Sequence, residues 1–322
     1  MIQDATQTSL LMDERSLRDF PHDSPPHSSV LAELPSPVSA GTRVAVLSDM
    51  HVTRNDCGSW RLYHRTVDRL QTALSSASER NIDLIVVAGD LTRNGEDSEF
   101  SAVSAQLHTA SAPVVCVPGN HDLPSPDNSR KQNAVSTFVN EYVGESFPFS
   151  CRFGDIDVIG LNSMDTTDHN VASGAISQSQ LDHLDTALSS ADSPIVVSHH
   201  PLTESWSAET SFSPDQFRLT NAPDVVQLLY EHDVSLVLSG HIHWPLVGSV
   251  GQLHEVVSPA VCSYPQAYLL IDITPTGTTV SMELLPNADI QLAAYRKLCE
   301  DRPLDGAYVQ LAQSNYLSSL FR

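Results

Sequence analysis

The stretch Pro118-Gly119-Asn120-His121-Asp122 directly follows the apolar run 114–117 and indicates how the whole chain is built. A short apolar run bounded by turn residues is typical of a buried parallel strand. Open α/β sheets bind their ligands at the carboxyl ends of such strands. Asn120 offers a neutral oxygen, His121 a ring that titrates near neutrality, and Asp122 a carboxylate that can hold this ring. The stretch also fits a plain tight turn with Gly119 at a positive φ.

Four more apolar runs end in polar side chains of the same kind. They run into Ser48-Asp49-Met50-His51, Gly89-Asp90, Ser198-His199-His200 and Ser239-Gly240-His241-Ile242-His243. If the five runs are strands, their polar ends come together along a single sheet edge. We therefore predict one cluster of seven nitrogen and oxygen ligands, which are Asp49, His51, Asp90, Asn120, His199, His241 and His243.

The order of the predicted elements favours an α/β fold. Helical patterns are found at about 60–80, 96–109, 129–142, 177–190 and 223–232. They alternate with the apolar runs, as in right-handed βαβ units. The pattern over 149–161 predicts a β-hairpin, and four runs between 246 and 285 predict antiparallel strands that complete a second sheet. The segment 202–220 fits either a lid over the site or a packed surface loop.

Three regions are predicted along the chain. Residues 1–41 are expected to form a poorly ordered N-terminal arm, because Pro and Ser are frequent there and apolar periodicity is short. Residues 42–286 contain all the apolar runs and form the main domain. Residues 287–322 are predicted as a C-terminal helical extension, with helical spacing that breaks at Pro303.

The charge balance limits the class of partner. The 322 residues carry 17 Lys and Arg against 39 Asp and Glu, a formal charge of −22. Surfaces that bind nucleic acid neutralise phosphates with clustered Lys and Arg, so we expect no nucleic-acid partner. A small anionic substrate stays compatible with this charge if metal ions supply local positive charge.

The cysteines and the hydropathy pattern predict the compartment. The five cysteines are scattered and never spaced Cys-x-x-Cys, which favours a reducing compartment over a disulfide framework. No apolar run approaches the roughly 20 residues that span a bilayer. The N-terminal residues lack the basic and then apolar layout of a signal peptide. We expect a cytoplasmic protein with no membrane association.

The seven predicted ligands indicate the kind of metal site. The set is too large for one tetrahedral zinc and too rich in His for magnesium or calcium. It suits two transition metals that share a carboxylate, an arrangement that clamps a phosphoryl group. His241 and His243 are two residues apart and would point to opposite faces of a regular strand. A turn after the strand would allow each to bind a different metal.

Five motifs together resemble a known superfamily. Their order is Asp49-x-His51, Gly89-Asp90, Gly119-Asn120-His121-Asp122, His199 and Gly240-His241-x-His243. This order resembles the calcineurin-like metallophosphoesterases, and among them the class III cyclic-nucleotide phosphodiesterase branch. The resemblance covers about residues 43–273. It implies a four-layer α/β/β/α sandwich of two mixed sheets flanked by helices, with residues 42–286 as the catalytic domain.

The resemblance also implies an activity and a cofactor. The expected reaction is hydrolysis of a phosphodiester, with a 3',5'-cyclic nucleotide such as cAMP as the leading substrate. Hydroxide bound to a pair of divalent transition-metal ions (Mn, Fe or Zn) would attack phosphorus. By position in the motifs, one metal would be bound by Asp49, His51 and His243, the other by Asn120, His199 and His241, and both by Asp90.

Other positions are candidates for catalysis and substrate binding. His121 would contact phosphate, beside Asn120, and act as general acid. In the protein phosphatase branch an Asp three residues after the Gly-Asp aspartate pairs with this His, but Arg93 stands there. Asp122 or a backbone carbonyl would then orient His121. Arg93 could contact substrate phosphate or be a solvated residue at a helix start, and His200 could support the neighbouring ligand or line the substrate site.

Two other functions stay open at this stage. One is a phosphodiesterase or phosphomonoesterase for a glycerophosphodiester, a phospholipid headgroup or a nucleotide. The other is a metal-binding scaffold without turnover. A scaffold is expected to lose ligands or the catalytic His, and this chain keeps all of them. The predicted partner is a small-molecule phosphodiester, and a homodimer is compatible with the sequence.

Overall fold

The computed structural model describes residues 28–35, 41–123, 134–144, 146–164, 172–203 and 217–301. The strands in these ranges are β1 (Ser28–Leu34), β2 (Thr42–Leu47), β3 (Leu84–Val87), β4 (Val114–Cys116), β5 (Phe149–Phe153), β6 (Ile156–Gly160), β7 (Pro194–Val197), β8 (Leu236–Ser239), β9 (Leu246–Val250), β10 (Leu253–Val257), β11 (Ala267–Thr274) and β12 (Gly277–Leu284). The helices are α1 (Thr66–Ser78), α2 (Asp97–Leu107), α3 (Ala134–Phe138), α4 (Gln178–Ser190), α5 (Ala222–Glu231) and α6 (Ala288–Asp301). A 3₁₀ turn, Tyr63–Arg65, precedes α1, and a π-helical turn, Val139–Val143, follows α3.

The strands form two mixed sheets of six strands each. The first has the order β1-β12-β11-β2-β3-β4, and the second has the order β5-β6-β7-β8-β10-β9. The strands β2, β3 and β4 are parallel, as are β6, β7, β8 and β10, and the remaining pairs are antiparallel. Each parallel core therefore continues into antiparallel strands, which makes both sheets mixed.

Successive side chains of each strand point to opposite faces of its sheet, and the buried residues form three hydrophobic clusters. On β2, Val44 and Val46 face the second sheet, whereas Ala45 and Leu47 face α1 and α2. A third cluster lies between the second sheet and the helices α4 and α5. This alternation follows from the two-residue period of a strand. The result is the predicted four-layer α/β/β/α sandwich, with helices on both outer faces.

Helix boundaries agree with local signals in the sequence. Glu96 and Glu99 form a capping box at the start of α2, which satisfies free backbone donors there. Ser177 accepts the backbone N–H of Gln180 at the start of α4. Pro223 lies in the first turn of α5, where its missing N–H costs nothing. The predicted hairpin is also present, with β5 antiparallel to β6.

The return of the chain to the first sheet was not predicted. The runs between 246 and 285 were expected to complete the second sheet together. Only β9 and β10 do so, and β10 pairs parallel to β8. The strands β11 and β12 instead extend the first sheet, where β11 lies antiparallel to β2. Local periodicity carries no information on which sheet a strand joins, because that choice depends on distant partners.

The N-terminal arm contains a strand that composition did not indicate. Residues 28–34 form β1, which pairs with β12 at the edge of the first sheet. Residues 1–27 and 36–40 of the predicted arm lie outside the described residues, as do the segment 204–216 within the predicted lid and residues 302–322 of the C-terminal extension. The start of that extension is α6, whose Leu292, Tyr295 and Leu298 pack into the central core. In the described ranges, none of the helices has the length and apolar character required to cross a bilayer.

Candidate metal centre

The predicted ligands come from two sheet edges that face each other. Those on or after β2, β3 and β4 belong to the first sheet, and those after β7 and β8 belong to the second. The expectation of a single sheet edge was therefore wrong in this detail. Because the sheets pack face to face over the central core, the carboxyl ends of both parallel sets meet at one place.

Most of these ligands lie in backbone turns of left-handed conformation. Five of the seven have a positive φ, which is 53° for Asp49, 43° for His51, 52° for Asp90, 71° for His241 and 59° for His243. Such residues are uncommon, although Asp, Asn and His adopt this region more readily than others. Strain of this kind is concentrated at functional sites. The positive φ of His241 and His243 also confirms that they follow β8 in a turn.

Two glycines allow the strand ends to approach closely. A Cβ atom at Gly89 would overlap the imidazole of His199, and one at Gly119 would overlap the carboxylate of Asp90. Gly89 also has a φ of 95°, a conformation that favours glycine. Gly89 precedes Asp90, and Gly119 precedes Asn120. A larger residue at either position would collide with a neighbouring ligand, so the packing of the ligands requires glycine there.

The first donor group contains Asp49, His51 and His243. Nε2 of His51 lies 3.1 Å from Nε2 of His243 and 3.8 Å from Oδ1 of Asp49. Nε2 of His243 lies 3.2 Å from the same carboxylate oxygen. The three side chains are almost completely buried, so their polar atoms face one another rather than solvent.

The second donor group contains Asn120, His199 and His241. Oδ1 of Asn120 lies 3.2 Å from Nε2 of His199 and 3.1 Å from Nδ1 of His241. The two ring nitrogens are 3.2 Å apart. These distances match two of the three in the first group, where the distance from His51 to Asp49 is longer, 3.8 Å.

Asp90 joins the two groups through one oxygen atom. Its Oδ2 lies 3.4 Å from Nε2 of His51 and 3.5 Å from Nε2 of His199. Its Oδ1 accepts the backbone N–H of His121 at 2.8 Å. This hydrogen bond keeps the carboxylate oriented, with Oδ2 between the two donor groups.

The donor atoms fit transition-metal ions. Two tetrahedral ligands at about 2.0–2.1 Å from one metal are about 3.3 Å apart, close to the spacing in both groups. Oδ1 of Asp49 is buried, and Nε2 of His243 lies 3.2 Å from it without the geometry of a hydrogen bond, so among the described residues this oxygen has no hydrogen-bond partner. A buried carboxylate oxygen without a partner is costly, and a bound cation would satisfy it. Imidazole, carboxylate and amide donors without thiolate suit Mn, Fe or Zn.

The opposite nitrogens of three imidazoles are fixed by hydrogen bonds. Nδ1 of His199 donates to the carbonyl of Ala88 at 2.8 Å, and Nε2 of His241 donates to the carbonyl of Ala172 at 2.8 Å. Nδ1 of His243 lies 2.7 Å from the Ser263 hydroxyl. Such contacts select the tautomer and orient the free nitrogen toward a metal.

Electrostatics separates His199 from the other histidines. Burial lowers the pKa of His51 and of His243, and it lowers the pKa of His241 to about 3, so these rings are neutral at pH 7. Burial also opposes the charged form of His199, but the carboxylates of Asp90 and Asp49 raise its pKa to about 9. A bound metal ion would replace this proton as the positive charge beside the two carboxylates.

His121 and Asp122 have different surroundings. Nδ1 of His121 lies 2.8 Å from the backbone carbonyl of Arg93. Of the two groups predicted to orient His121, Asp122 or a backbone carbonyl, the carbonyl is therefore the one that contacts the ring. The Asp122 carboxylate accepts hydrogen bonds from the backbone of Leu91, Thr92 and Gly119, and from the Thr92 hydroxyl. These contacts tie the loop after β3 to the loop after β4. Burial and the charge of Asp90 raise the pKa of Asp122.

Arg93 and His200 were predicted to contact the substrate, and both contact other side chains of the protein. The guanidinium of Arg93 forms an ion pair with Asp56 and lies 3.9 Å over the ring of Tyr63. His200 is completely buried, and its ring lies 4.3 Å from that of His241. Nδ1 of His200 lies 2.8 Å from the Ser163 hydroxyl. These contacts orient both side chains beside the centre.

Three residues near the centre were missed by sequence reasoning. The Cys262 thiol lies within 4.8 Å of the ligand nitrogens of His51 and His243, and Arg61 stacks on Trp60, whose ring lies 5.0 Å from that of His243. Buried Glu255 accepts hydrogen bonds from Leu202, Thr203 and Ser239, which anchors the chain after His200. None of the three belongs to a run that ends in metal-binding groups, so no local pattern identified them.

Comparisons with known proteins identify the family of the chain. The calcineurin-like phosphoesterase family model matches residues 42–245, more than half of the chain. The 3',5'-cyclic adenosine monophosphate phosphodiesterase CpdA of Escherichia coli K12 is 26% identical over 248 residues, which are 72% of this chain and 80% of that protein. A "Probable cyclic nucleotide phosphodiesterase" of Vesicomyosocius okutanii subsp. Calyptogena okutanii is 25% identical over 203 residues, 61% of this chain and 76% of that protein.

Solved structures support the same fold. A dimetal phosphatase from Danio rerio has a TM-score of 0.56 at 15% identity, over 76% of this chain and 99% of that chain. A protein of Thermus thermophilus has a TM-score of 0.52 at 15% identity, over 74% of this chain and 97% of that chain. The chain belongs to the calcineurin-like phosphoesterase family and is a hydrolase that acts on phosphoric ester bonds.

Proposed function

We propose that the protein is a metal-dependent phosphodiesterase that hydrolyses a 3',5'-cyclic nucleotide, with cAMP as the leading substrate and two divalent transition-metal ions as cofactor. The observation that carries the proposal is the position of Asp90. Its Oδ2 lies within 3.5 Å of a ligand nitrogen in each donor group. A carboxylate oxygen shared in this way suits a bridging ligand in a two-metal site.

The proposed holders of the metals follow from the two donor groups. One ion would be held by Asp49, His51 and His243, the other by Asn120, His199 and His241, and Asp90 would contact both. When bound, Mn, Fe or Zn ions would neutralise phosphoryl charge and lower the pKa of a coordinated water. The protein contributes the fixed orientation of each ligand and a site largely shielded from solvent.

His121 is the proposed proton donor to the leaving oxygen. In the proposed role Nε2 donates the proton, because Nδ1 is held by the Arg93 carbonyl. His121 is half-buried, and its ring lies 4.5 Å from that of His51, so it adjoins the first donor group. A histidine with one nitrogen fixed by a carbonyl can present a proton in a defined direction.

The proposed substrate class draws support from the relatives. Two of them carry names that specify cyclic nucleotides, and they cover 61% and 72% of this chain. Their identities of 25% and 26% leave the substrate of this chain as a proposal. The acidic composition is consistent with a small substrate rather than nucleic acid. A cytoplasmic location and a homodimer remain predictions from the sequence.

A panel of phosphate esters tests the function. The protein is stripped of metal by chelation and reconstituted separately with Mn²⁺, Fe²⁺ and Zn²⁺. Each form is assayed on cAMP, cGMP, bis(p-nitrophenyl) phosphate, a glycerophosphodiester and p-nitrophenyl phosphate. We expect turnover only after reconstitution, and a higher kcat/KM on cyclic nucleotides than on the glycerophosphodiester or the monoester. A monoester preference would assign the protein to the phosphomonoesterases, and full turnover by metal-free protein would exclude the two-metal site.

A further inference from the structure

Arg61 is a cation beside the candidate metal centre that lacks an acidic partner among the described residues. Its Nη1 donates to the hydroxyl of Tyr63 at 3.2 Å, and its Nε is buried with no hydrogen-bond partner in the same ranges. Within the part of the chain that the structure describes, no carboxylate forms an ion pair with it. The side chain is partly buried, so its remaining donors are only partly available to water.

Aromatic stacking fixes Arg61 near the first donor group. Its guanidinium carbon lies 4.7 Å over the ring of Trp60, and the ring of Trp60 lies 5.0 Å from that of His243. Trp60 is only 6% exposed and packs in the central core, which makes it a rigid support. Through this stack the guanidinium of Arg61 is placed next to the first donor group.

Neighbouring arginines differ from Arg61 in their partners. Arg93 is neutralised by Asp56 and stacks on the ring of Tyr63. Arg65 is exposed, and its Nη1 lies 3.9 Å from Oδ2 of Asp68. Burial of a guanidinium without a carboxylate is unfavourable unless an anion satisfies it. Buried Arg69 also has donors without a partner among the described residues, so the lack of a carboxylate supports an anion at Arg61 only together with its position beside the first donor group.

We propose that Arg61 is a substrate-binding residue whose guanidinium donates hydrogen bonds to an anionic oxygen of the substrate's phosphoryl group. The proposal rests on the proposed function, because it assigns the anion to the phosphoester at the same centre. Arginine suits this role because its planar fork of N–H donors matches phosphate oxygens. It also provides positive charge in a chain whose formal charge is −22.

The test compares Arg61→Gln and Arg61→Lys with the control Arg65→Gln, which removes the same charge from the same segment. Arg93→Gln is measured in parallel, because the sequence suggested Arg93 as a phosphate contact. Metal content is measured first. Steady-state kcat and KM are then measured on the best substrate of the panel, together with the dissociation constant of inorganic phosphate by calorimetry on metal-loaded protein. For Arg61→Gln we expect a loss of roughly 10- to 100-fold in kcat/KM and in phosphate affinity at unchanged metal content. Arg61→Lys should lose less than Arg61→Gln, and Arg65→Gln should match the wild type.

Several outcomes separate this proposal from its alternatives. Wild-type phosphate affinity in Arg61→Gln overturns it, and so does a loss confined to Arg93→Gln, which would restore the sequence-based assignment of phosphate binding to Arg93. Where Arg61→Gln loses metal, Arg61→Lys decides, and wild-type phosphate affinity in that variant overturns a role for the guanidinium fork. If the wild type hydrolyses no ester in the panel, the proposed function fails, whereas phosphate affinity still tests Arg61.

Discussion

The backbone N–H of His121 donates a 2.8 Å hydrogen bond to Oδ1 of Asp90. The residue proposed to protonate the leaving group therefore holds the carboxylate proposed to bridge the metals. The two residues follow different strands, β4 and β3, so this bond also fixes the relative position of two loops. In the proposed mechanism this backbone contact would therefore link the metal-bridging carboxylate to the proton donor.

Replacement of Asp90 by Asn should reduce metal binding. The amide lacks the charge that suits a shared ligand, so we expect fewer than two metals per chain and a loss of turnover of at least about 100-fold. Mutation of groups that only support a ligand already costs about 10- to 100-fold. Elemental analysis after gel filtration gives the metal content. Asp157→Asn is the matched control, because Asp157 is a buried carboxylate bonded to the backbone of Asp192 and Ser193. Equal metal content in both variants would contradict the bridging role.

His121→Ala should impair turnover in a way that depends on the leaving group. A nitrophenolate leaves with little help, whereas a ribose alkoxide requires a proton. General acid catalysis contributes about 10²- to 10⁴-fold, and we expect a loss in this range on cAMP. The loss on bis(p-nitrophenyl) phosphate should be much smaller. The measurement is the ratio of mutant to wild-type kcat/KM on each substrate, at equal metal content. The same ratio on both would mean that His121 binds phosphate without donating a proton.

Asp122→Asn should affect stability and both substrates alike. The carboxylate accepts hydrogen bonds from three backbone N–H groups and one hydroxyl, and the amide nitrogen would oppose some of these donors. Loss of such buried hydrogen bonds is expected to lower the free energy of unfolding by about 1–3 kcal/mol. We expect a lower Tm and the same fractional loss of kcat/KM on aryl and alkyl diesters. A loss restricted to alkyl diesters at wild-type Tm would instead indicate a direct role in proton transfer.

The raised pKa of His199 predicts the pH dependence of the metal-free protein. A folded pKa of about 9, above the ordinary 6.5, means that the proton on His199 stabilises the fold. This stabilisation is fully present below pH 6.5 and is lost as the pH rises to about 9, with a slope of at most about 1.4 kcal/mol per pH unit. Urea unfolding between pH 6 and 9.5 measures it, and His199→Asn should flatten the curve.

The same proton must leave when a metal binds. At pH 7 we expect release of about one proton for the ion held by His199, because the other ligand histidines are already neutral. Calorimetric titration of the metal-free protein with Mn²⁺ in two buffers of different ionisation enthalpy gives the number of protons. Binding without proton release would show that His199 is neutral before the metal arrives.

Two truncations test the role of β1. Removal of residues 1–27 leaves β1 intact, and we expect wild-type Tm and turnover. Removal of residues 1–40 deletes β1, whose Leu31 and Leu34 pack against the central core, and it exposes the edge of β12. The free energy of unfolding should then fall by about 1–3 kcal/mol. Thermal unfolding and light scattering of both truncated proteins are the measurements, and identical Tm values would show that the whole arm is dispensable.

The ligand runs could be recognised in the sequence because each signal is local. A buried strand such as β3 is a continuous apolar run, and Gly89-Asp90 follows it directly. Helix starts such as Glu96 are likewise determined within one turn of the chain. The pairing of β11 with β2 is different, because these strands are more than 200 residues apart and no local pattern encodes their contact.

The sequence by itself determined which side chains are available for the metals and which backbone runs carry them, because residue type and short-range periodicity are sufficient for both. Only the tertiary structure decided that two sheet edges share the site and that the Arg93 carbonyl holds His121. It also decided that Arg93 pairs with Asp56, whereas Arg61 stacks on Trp60 against His243. The physical reason is that such contacts join residues from distant parts of the chain, and packing of the complete core selects their partners.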